Sequence, residues 1–444
     1  MGSTLRICAA VLMVAAAGCG SAVTPADAGP TDGPIPDLAM PDMLGCARAP
    51  SLAVTAGSTT KVCQLTGETD RQLGKPAPNQ TLTRFGLSGA NLGASFDHGG
   101  KTWFLFGDAL PTGGGYPNPS AGDAIASSSD ADPTDCVGLD FVARQGGSFL
   151  SPTLPGVDLG LNNVPLAGVS SGAAAMYVWF SSACMTRSVL ARSDDGARTF
   201  SLVHTLSDCS CDAACTQVGP STNCQNPACH FVNLAANVVA EADAGALPGT
   251  GARVVLFGSG QWRKSNVFLA TTSLSQIEDK AALRYFAGSG GDSGCAPKWS
   301  DKESDAVPLF NTVMENKNIE ACVGELSVHF DAALGLWIAM YNCGNRLDVR
   351  AARVPWGPWS DAQSLFDPAK DAGYCQFIYN PKGMPACPQL SDPDRLGAGG
   401  GAFAPYAIRR YSTKTAQGAR LYFTMSPWNP YNTLLMQTEL VAGP

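Results

Sequence analysis

The stretch WFLFGDA (Trp103 to Ala109) is a short aromatic-rich run that ends in small residues, and the chain repeats this pattern four more times. The other copies are MYVWFSS (Met176 to Ser182), VVLFGSG (Val254 to Gly260), LWIAMYN (Leu336 to Asn342) and LYFTMSP (Leu421 to Pro427). Successive copies lie roughly 75 to 85 residues apart, and a multi-strand repeat at a steady period is typical of a radial or stacked array. The sequence therefore predicts five similar units around a common axis.

Each copy is flanked by two further strand-like runs. The preceding runs are rich in small residues, which suits strands that crowd around an axis, and the following runs have the apolar patterns of half-buried strands. The preceding runs are GLSGANLGASFDH (Gly86 to His98), VPLAGVSSGAA (Val164 to Ala174), FVNLAANVVAEA (Phe231 to Ala242), GELSVHFDA (Gly324 to Ala332) and AFAPYAIRRYS (Ala402 to Ser412); the following runs are GDAIASSSD, RSVLARSDD, NVFLATTSL, LDVRAARVP and TLLMQTELV. We predict an all-β fold, a five-bladed β-propeller over residues 46–444.

Composition narrows the function classes. With 45% apolar and 15% charged residues the chain can bury a large core, and 49 glycines and 31 prolines suit short strands and tight turns. The best helix candidate is TSLSQIEDKAALRYF (Thr272 to Phe286). A net charge of −8 without a lysine or arginine run argues against a nucleic-acid partner. We expect a monomer without a cofactor or metal.

The first 18 residues resemble a lipoprotein-type signal peptide. Arg6 precedes an apolar stretch too short to span a bilayer, and Ala16-Ala17-Gly18-Cys19 resembles a bacterial lipoprotein processing site, with Cys19 as the acylated residue. A plain secretory cleavage is the alternative. Residues 19–45 combine proline, aspartate and alanine without periodicity, which predicts a disordered linker. The protein is thus expected to be exported, and either lipid-anchored in the cell envelope, at the outer membrane or cell surface, or secreted.

Cysteine usage agrees with export. Of the 16 cysteines, Cys8 and Cys19 belong to the signal region, and the even number that remains implies disulfides in an oxidising compartment. We expect one local bridge between Cys375 and Cys387 and a second between Cys46 and Cys63. A further group crowds into one segment, where a disulfide-stapled insertion is favoured over a zinc site because the spacing is not a pair of C-x-x-C knuckles: Cys209, Cys211, Cys215, Cys224, Cys229 and His230.

A recognisable turn lies in the second repeat. Ser193, Asp195, Thr199 and Phe200 fit the S-x-D-x-G-x-T-W turn found between outer strands of many propeller blades, with Ala197 in place of the glycine. Its aspartate is expected to bind backbone N–H groups and close a hairpin, without a catalytic role.

Two carboxylates are the leading site candidates. In a propeller, ligands bind where the inner strands converge, so polar residues on those strands matter most. Glu325 is a lone carboxylate in a run otherwise built for burial, and a buried carboxylate must be paired, protonated or functional. Its structural alternative is a salt bridge, for instance to Arg350. Asp108 ends the first core strand, where a turn-forming aspartate is the alternative.

Other polar groups carry weaker signals. Asp97 and His98 lie in the hairpin tip FDHGGK, where turn chemistry is the favoured interpretation, and Glu241 lies near the end of a predicted inner strand. The string Gly168 to Gly172 matches a nucleophile elbow, but that motif needs a following helix, and no histidine partner is evident.

A possible calcium loop is also incomplete. Asp130, Asp132 and Asp135 lack the glycine and the distal glutamate that such a loop requires.

Several strings together resemble one bacterial family. They are Gly89-Ala-Asn91-Leu-Gly93 with Phe104-Leu-Phe-Gly-Asp108, Gln261-Trp-Arg263-Lys-Ser265, Gly324-Glu325-Leu-Ser327-Val, Pro355-Trp-Gly-Pro-Trp359-Ser, and Ser426-Pro-Trp428-Asn-Pro-Tyr431-Asn. The family is the one first catalogued as domain of unknown function 4185, and some of its members are endo-D-arabinanases that act on mycobacterial arabinan. The similarity covers about residues 85 to 440.

The resemblance implies a glycoside hydrolase with two carboxyl groups. It nominates Asp108 and Glu325 as catalytic residues, one to protonate the leaving oxygen and the other to activate water or attack the anomeric carbon. The partner would be a polysaccharide or oligosaccharide with arabinofuranosyl linkages. The substrate-binding candidates are Asn91, Arg263, Tyr406, Trp428 and Tyr431.

The resemblance departs from the family pattern at one position. The pattern has an acid where this chain has Asn91, and an amide neither transfers protons at neutral pH nor attacks as an anion. This departure implies an alternative, a carbohydrate-binding propeller with impaired catalysis. A third alternative is a protein-interaction scaffold, because propellers host unrelated functions.

Overall fold

The computed structural model of the protein describes most of the chain from residue 48 onward. The described residues are 48–115, 122–160, 162–172, 175–211, 215–216, 219–220, 224, 226, 228–291, 295–314, 319–382, 387–395 and 398–443. The predicted signal peptide, the acylation candidate Cys19, the linker 19–45 and Cys46 lie outside them.

Five antiparallel sheets form the five blades of a propeller, as predicted. In each blade the strands are numbered from the channel outward, and blades 1 to 5 follow chain order. The strands are Leu87–His98, Lys101–Pro111, Gly122–Ser128 and Asp140–Phe141 in blade 1; Pro165–Ser170, Met176–Ser182, Arg187–Ser193 and Ser201–Asp208 in blade 2; Asn233–Val239, Arg253–Ser259, Phe268–Ser273, Arg284–Gly290 and Ala296–Ser300 in blade 3; Val323–Asp331, Leu336–Cys343, Arg346–Ala352 and Gln363–Phe366 in blade 4; and Phe403–Ala407, Ala419–Ser426 and Leu434–Gly443 in blade 5.

Shorter elements connect the blades. Three two-stranded ribbons pair Thr69–Asp70 with Lys75–Pro76, Cys215–Thr216 with Gly219–Pro220, and Val313–Met314 with Ile319–Glu320, while Thr413–Lys414 joins the second strand of blade 5. The one α-helix among the described residues is Thr81–Phe85, and the 3₁₀ turns are Pro133–Asp135, Glu241–Asp243, Leu274–Gln276, Lys280–Ala282, Glu303–Asp305, Pro388–Leu390, Pro393–Arg395 and Arg409–Tyr411. No helix in the described part of the chain has the length and apolar character needed to cross a membrane.

The inner strands form a closed ring. Each first strand contacts the first strand of the next blade, and that of blade 5 contacts that of blade 1. The hydrophobic core lies between neighbouring blades, with separate clusters at the junctions of blades 3 and 4, 4 and 5, and 5 and 1. A ring of this kind removes the exposed sheet edges on which strands would otherwise aggregate.

The N-terminal strands complete blade 5. Ser51–Val54 and Thr60–Gln64 both pair antiparallel with Leu434–Gly443, so the two ends of the propeller meet in one sheet. This closure was not predicted from the sequence, because the repeat pattern alone does not tell which segment supplies the outermost strand.

The closure also corrects the disulfide prediction. Cys63 bonds Cys136 and not Cys46. Strand Thr60–Gln64 of blade 5 contacts the 3₁₀ turn Pro133–Asp135 of blade 1, so the bridge joins the first and last blades. The predicted Cys375–Cys387 bridge is confirmed.

The cysteine-rich insertion is stapled as predicted. Cys209 bonds Cys229, and Cys211 bonds Cys224. The sulfur atoms of Cys209, Cys211 and Cys224 lie within 4.8 Å of one another because the two bridges are adjacent. A further bridge joins Cys322 to Cys343, which ties the first two strands of blade 4.

The best helix candidate, Thr272 to Phe286, does not form a helix. The third strand of blade 3 ends at Ser273, two 3₁₀ turns follow, and the next strand begins at Arg284. The Asp279 side chain accepts the N–H of Ala281 and so caps the second turn instead of continuing a helix.

The predicted hairpin turn of blade 2 is present. Asp195 Oδ1 accepts the N–H groups of Arg198 and Thr199, and Oδ2 accepts the Thr199 hydroxyl. Ala197 takes a φ of 61°, which explains why glycine is usual at this position.

Candidate functional site

The central channel opens at two mouths, because the inner strands of all five blades run from one mouth to the other. The upper mouth contains a cavity of about 400 Å³ whose lining includes Asn91, Asp108, Arg263, Glu325, Tyr406 and Trp428. The lower mouth has a cavity of about 150 Å³ whose lining includes Asp97, Ser170, Asn237, His329, Arg409 and Arg410. Six of the seven predicted catalytic and substrate-binding residues thus lie around one cavity.

Irregular strand pairing turns the polar residues toward the upper mouth. The register between the first and second strands is irregular in blades 1, 4 and 5. It shifts on both sides of Asn91 in blade 1, between Val323 and Leu326 in blade 4, and between Phe403 and Tyr406 in blade 5. Such breaks change the direction of a side chain and are frequent near functional sites.

Asp108 lies in a break of its own. The second strand of blade 1 shifts register at Asp108 against both of its neighbouring strands, and Asp108 takes a φ of 43°. Its Oδ1 accepts the N–H of Asn162 at 3.0 Å, and its carbonyl oxygen accepts the Tyr431 hydroxyl at 3.0 Å. Burial raises the pKa of Asp108 to about 6, against the lowering effect of its hydrogen bonds from Asn162 and Asn91. A carboxyl with this pKa can give or take a proton near neutral pH.

A second carboxyl, missed by sequence reasoning, lies beside it. Asp123 is the second residue of the third strand of blade 1 and is 2% exposed. Its Oδ1 accepts the N–H of Asp108 at 3.3 Å, while its Oδ2 has no hydrogen-bond partner among the described residues. Burial, and then the neighbouring Asp108 charge, raises the pKa of Asp123 well above its usual range. In the sequence, Gly122-Asp123 is indistinguishable from an ordinary turn.

Asn91 contacts the first of these carboxyls. Its amide hydrogen-bonds to the Asp108 carboxylate, which helps to lower the Asp108 pKa. Asn91 is 5% exposed, and its Oδ1 has no partner within the described part of the chain. This acceptor oxygen is thus buried and unpaired in a residue that lines the cavity.

Glu325 lies on blade 4. Its N–H donates to Asn342 Oδ1 at 3.1 Å, and a Cβ at the preceding Gly324 would lie 2.5 Å from the Asn342 amide nitrogen. Only glycine therefore allows Asn342 to fill the irregularity that directs Glu325 to the cavity. Glu325 itself is 7% exposed.

Two neighbouring side chains hold the Glu325 carboxylate. Trp262 donates its indole N–H to Oε1 at 3.1 Å, and the Arg263 guanidinium lies 3.8 Å from Oε2. The guanidinium also stacks over the Trp262 ring at 4.0 Å. The structural alternative, a salt bridge, is present with Arg263 and not with Arg350, which donates to Tyr341, Ser360 and Asn311. Trp262 was missed as a site residue, although its neighbour Arg263 was predicted.

The aromatic candidates divide into two layers. Trp428 lines the cavity, whereas Tyr431 lies behind it, packed edge-on against Trp428 at 5.9 Å. Tyr431 is thus in contact with the backbone of Asp108 and not with the cavity. Tyr406 lines both mouths, and burial, followed by the Glu325 charge, raises its pKa.

A glycine run widens the upper mouth. Gly399, Gly400 and Gly401 line the cavity beside Asn345. A Cβ at Gly401 would lie 2.8 Å from Asn345 Oδ1, and one at Gly400 would lie 2.6 Å from a backbone oxygen. This wall was not predicted, because a glycine run in sequence also suits a plain loop.

The lower-mouth candidates are largely occupied with one another. Asp97 accepts the Thr102 hydroxyl and forms ion pairs with Arg409 and Arg410. Gly99 and Gly100 both have positive φ and close the two-residue hairpin. The glycines therefore make the turn, while the Asp97 carboxylate binds Thr102 and two arginines of blade 5.

The nucleophile-elbow string is a strand followed by another strand, as expected. The expectation that it has no histidine partner is wrong, because Ser170 Oγ lies 2.8 Å from Nδ1 of His98 on blade 1.

The remaining weak candidates serve local turns. Glu241 lies beyond the inner strand, which ends at Val239, and its carboxylate accepts the N–H of Gly251. Asp130 accepts backbone N–H groups from Asp132 and Gly138, and Asp132 accepts that of Thr134. These contacts are those of turn-forming aspartates.

Residues 76–437 match the family described as Domain of unknown function (DUF4185). The chain belongs to this family. The DUF4185 match includes all the upper-mouth residues named above, and it confirms the resemblance drawn from the sequence strings.

Comparisons with curated proteins and with solved structures find little similarity to this chain. No curated protein matches the sequence. Similar solved structures include an exo-beta-1,3-galactanase from Phanerochaete chrysosporium, with 9% identity and a TM-score of 0.42 over 85% of this chain and 64% of that chain. A glycosyl hydrolase from Bacteroides ovatus has 10% identity and a TM-score of 0.44 over 88% of this chain and 94% of that chain. At TM-scores below 0.5, these similarities carry no argument about activity.

Proposed function

We propose that this protein is a glycoside hydrolase that cleaves arabinofuranosyl linkages at the upper mouth. The observation that carries the proposal is the meeting of two buried carboxyls, Asp108 of blade 1 and Glu325 of blade 4, at one 400 Å³ cavity. Cavities of this size suit a small ligand, and two carboxyl groups on either side of a glycosidic bond are what its hydrolysis needs.

Asp108 is the proposed general acid. Its pKa of about 6 keeps part of its population protonated near neutral pH. In the reaction its proton passes to the glycosidic oxygen as the bond from that oxygen to the anomeric carbon breaks. Its hydrogen bonds from Asn162 and Asn91 then stabilise the carboxylate that forms.

Glu325 is the proposed partner carboxylate. It either removes a proton from an attacking water or attacks the anomeric carbon itself, and the separation of the two carboxyls decides between these routes. The indole N–H of Trp262 and the Arg263 guanidinium orient it. Both side chains also line the cavity, so they fix the carboxylate at its wall.

The arabinofuranosyl preference rests on the family resemblance. Trp428 supplies an aromatic face to the cavity and Arg263 a row of N–H donors, which suit the apolar faces and hydroxyls of a sugar ring. Asn91 Oδ1 is an acceptor for a sugar hydroxyl.

A carbohydrate-binding protein without turnover is the second candidate. One observation favours it: an amide, Asn91, contacts Asp108 at the position where the family pattern has an acid. A binding propeller would use the same cavity, so the two candidates differ in turnover alone. The protein-interaction scaffold is less favoured, because two carboxylates, Asp108 and Glu325, lie within the largely apolar lining of the upper mouth.

The test is incubation of purified protein with arabinogalactan and with arabino-oligosaccharides, followed by analysis of released sugars. We expect oligosaccharide release by the wild type and none by Glu325→Gln. Binding of the same oligosaccharides by both proteins, without release by either, would instead support the binding function. Neither binding nor release would refute both.

Export is part of the proposal. The disulfides described above indicate that the folded domain resides in an oxidising compartment. Lipid anchoring through Cys19 stays a prediction. It predicts that labelled fatty acid enters the wild-type protein in its host and not the variant Cys19→Ser.

A further inference from the structure

Asp108 is held almost entirely by groups outside its own strand ladder. The register shifts against both neighbouring strands, and this leaves the Asp108 N–H and carbonyl without partners in the strand pairing. Asp123 accepts the N–H, and Tyr431 donates to the carbonyl oxygen. The φ of 43° is costly for a residue with a side chain, so these contacts must stabilise it.

The two carboxyls of this pair differ in their surroundings. The Asp108 carboxyl receives hydrogen bonds from Asn162 and Asn91 and borders the cavity. The Asp123 carboxyl receives the single N–H of Asp108, and its Oδ2 is buried without a partner among the described residues. Among the described residues, the titratable group that contacts the two aspartates is the Tyr431 hydroxyl from blade 5, and the Arg395 guanidinium lies 4.2 Å from the Tyr431 ring.

Two buried like charges in one site cannot both form at low cost, so the pair retains a proton. Asp108 has more hydrogen-bond donors and contact with the cavity, and both favour its ionised form. Asp123 has neither advantage, so the retained proton belongs on Asp123.

We propose that Asp123 is a positioning residue that stays protonated at neutral pH and holds Asp108 in the left-handed conformation that directs its carboxyl to the upper mouth. The role of this pair in catalysis rests on the function proposed above. The protonation and the backbone contact do not.

A neutral Asp123 would matter to an acid at Asp108. When Asp108 releases its proton, its new charge forms beside a neutral carboxyl instead of a second anion. An ionised Asp123 would oppose that release and leave a buried charge with one hydrogen bond.

The test is infrared spectroscopy of the full-length protein at pH 7.5, which detects the C=O stretch of a protonated carboxylic acid. We expect such a band in the wild type. It should disappear in Asp123→Asn and persist in Asp108→Asn, the matched control. Absence of the band in the wild type, or its persistence in Asp123→Asn, would overturn the proposal.

A cation between the two carboxylates is the competing arrangement. It predicts no protonated band, together with calcium binding by the wild type that Asp123→Asn abolishes, and either result would overturn the proposal. Calorimetric titration with calcium chloride supplies this measurement.

Activity provides an independent readout. If the protein hydrolyses arabino-oligosaccharides, Asp123→Asn should keep the pH dependence of kcat/KM, because an amide replaces a neutral acid. Asp123→Ala, which loses the acceptor for the Asp108 N–H, should lower kcat more than it changes KM. A lower apparent pKa in Asp123→Asn would mean that Asp123 was ionised. If no hydrolysis occurs, the infrared result still decides the protonation.

Discussion

The two mouths of the channel use the same strands in different ways. Blade 1 carries Asn91 toward the upper mouth and Asp97 toward the lower, and blade 4 carries Glu325 toward the upper and His329 toward the lower. At the lower mouth the carboxylate of Asp97 is met by two arginines and a threonine hydroxyl. At the upper mouth, Asn91 Oδ1 and Glu325 Oε2 have no hydrogen-bond partner among the described residues, and neither has Oδ2 of Asp123, which lies beside Asp108.

The groups without partners differ between the two mouths. Buried polar atoms normally find partners, because leaving one unsatisfied costs about 1–3 kcal/mol. At the lower mouth the half-exposed Asp97 has partners, whereas both ring nitrogens of the buried His329 have no hydrogen-bond partner among the described residues. At the upper mouth the atoms without partners are acceptor oxygens near a larger cavity, which is expected where a ligand supplies the missing donors.

The largest expected effect comes from exchanging a carboxylate at each mouth. Glu325→Gln should reduce hydrolysis of arabino-oligosaccharides by about 10³-fold, since it removes a group that acts on the reacting centre. Asp97→Asn, at the lower mouth, should leave kcat/KM within about twofold, because an exposed ion pair contributes little. Equal losses in the two variants would contradict the assignment of function to the upper mouth.

Removing the Asp108 carboxyl should stabilise the folded protein near neutral pH. Folding raises the pKa of Asp108 from 3.8 to about 6, so the folded state holds this proton more firmly than the unfolded state. The carboxyl therefore destabilises the fold increasingly as pH rises from about 4 to about 6, by about 3 kcal/mol in full. Asp108→Asn should be more stable than the wild type at pH 7.5 and not at pH 3.5, as measured by urea unfolding.

Asp97→Asn is the control for that measurement. It loses ion pairs with Arg409 and Arg410 and should gain no stability at either pH. A gain like that of Asp108→Asn would mean that the pKa of Asp108 is not the cause.

The pH dependence of activity follows from the same pKa. If Asp108 must be protonated to act as the acid, kcat/KM should fall about tenfold per pH unit above about 6, or roughly a hundredfold by pH 8. Initial rates in buffers of constant ionic strength measure this. A rate that keeps rising up to pH 8 is incompatible with Asp108 as the acid.

The smallest expected effect comes from removing one indole N–H group, and a second indole N–H group serves as the control. Trp262 donates to the Glu325 carboxylate at the upper mouth, whereas Trp103 donates to the backbone carbonyl of His98. Hydrogen bonds to charged groups are worth about 1.5–3 kcal/mol, so Trp262→Phe should lower kcat/KM roughly tenfold to a hundredfold. Trp103→Phe should not change it. A similar loss in both variants would indicate general destabilisation, which a thermal unfolding curve would reveal.

Sequence reasoning reached the fold because the aromatic repeat reports local strand structure and its period. It also reached Asp108 and Glu325, since each is a polar residue in or beside an apolar strand, while Asn91 came from the family resemblance. It missed Asp123, which follows a glycine and looks like a turn residue, and Trp262, whose importance depends on its contact with Glu325.

The other features that the sequence did not predict depend on contacts between distant parts of the chain. The pairing of Ser51–Val54 with the last strand, and the Cys63–Cys136 bridge that joins blades 5 and 1, depend on contacts between the two ends of the propeller. The glycine wall at Gly399–Gly401 depends on neighbouring atoms that no local pattern records.

A crystal structure of Glu325→Gln soaked with an arabino-oligosaccharide tests the proposed site most directly. We expect the sugar in the upper mouth, with the Asp108 carboxyl within hydrogen-bonding distance of a glycosidic oxygen and the side chain at position 325 on the other side of the anomeric carbon. A sugar bound at the lower mouth, or one in the upper mouth that Asp108 does not reach, would contradict the proposal.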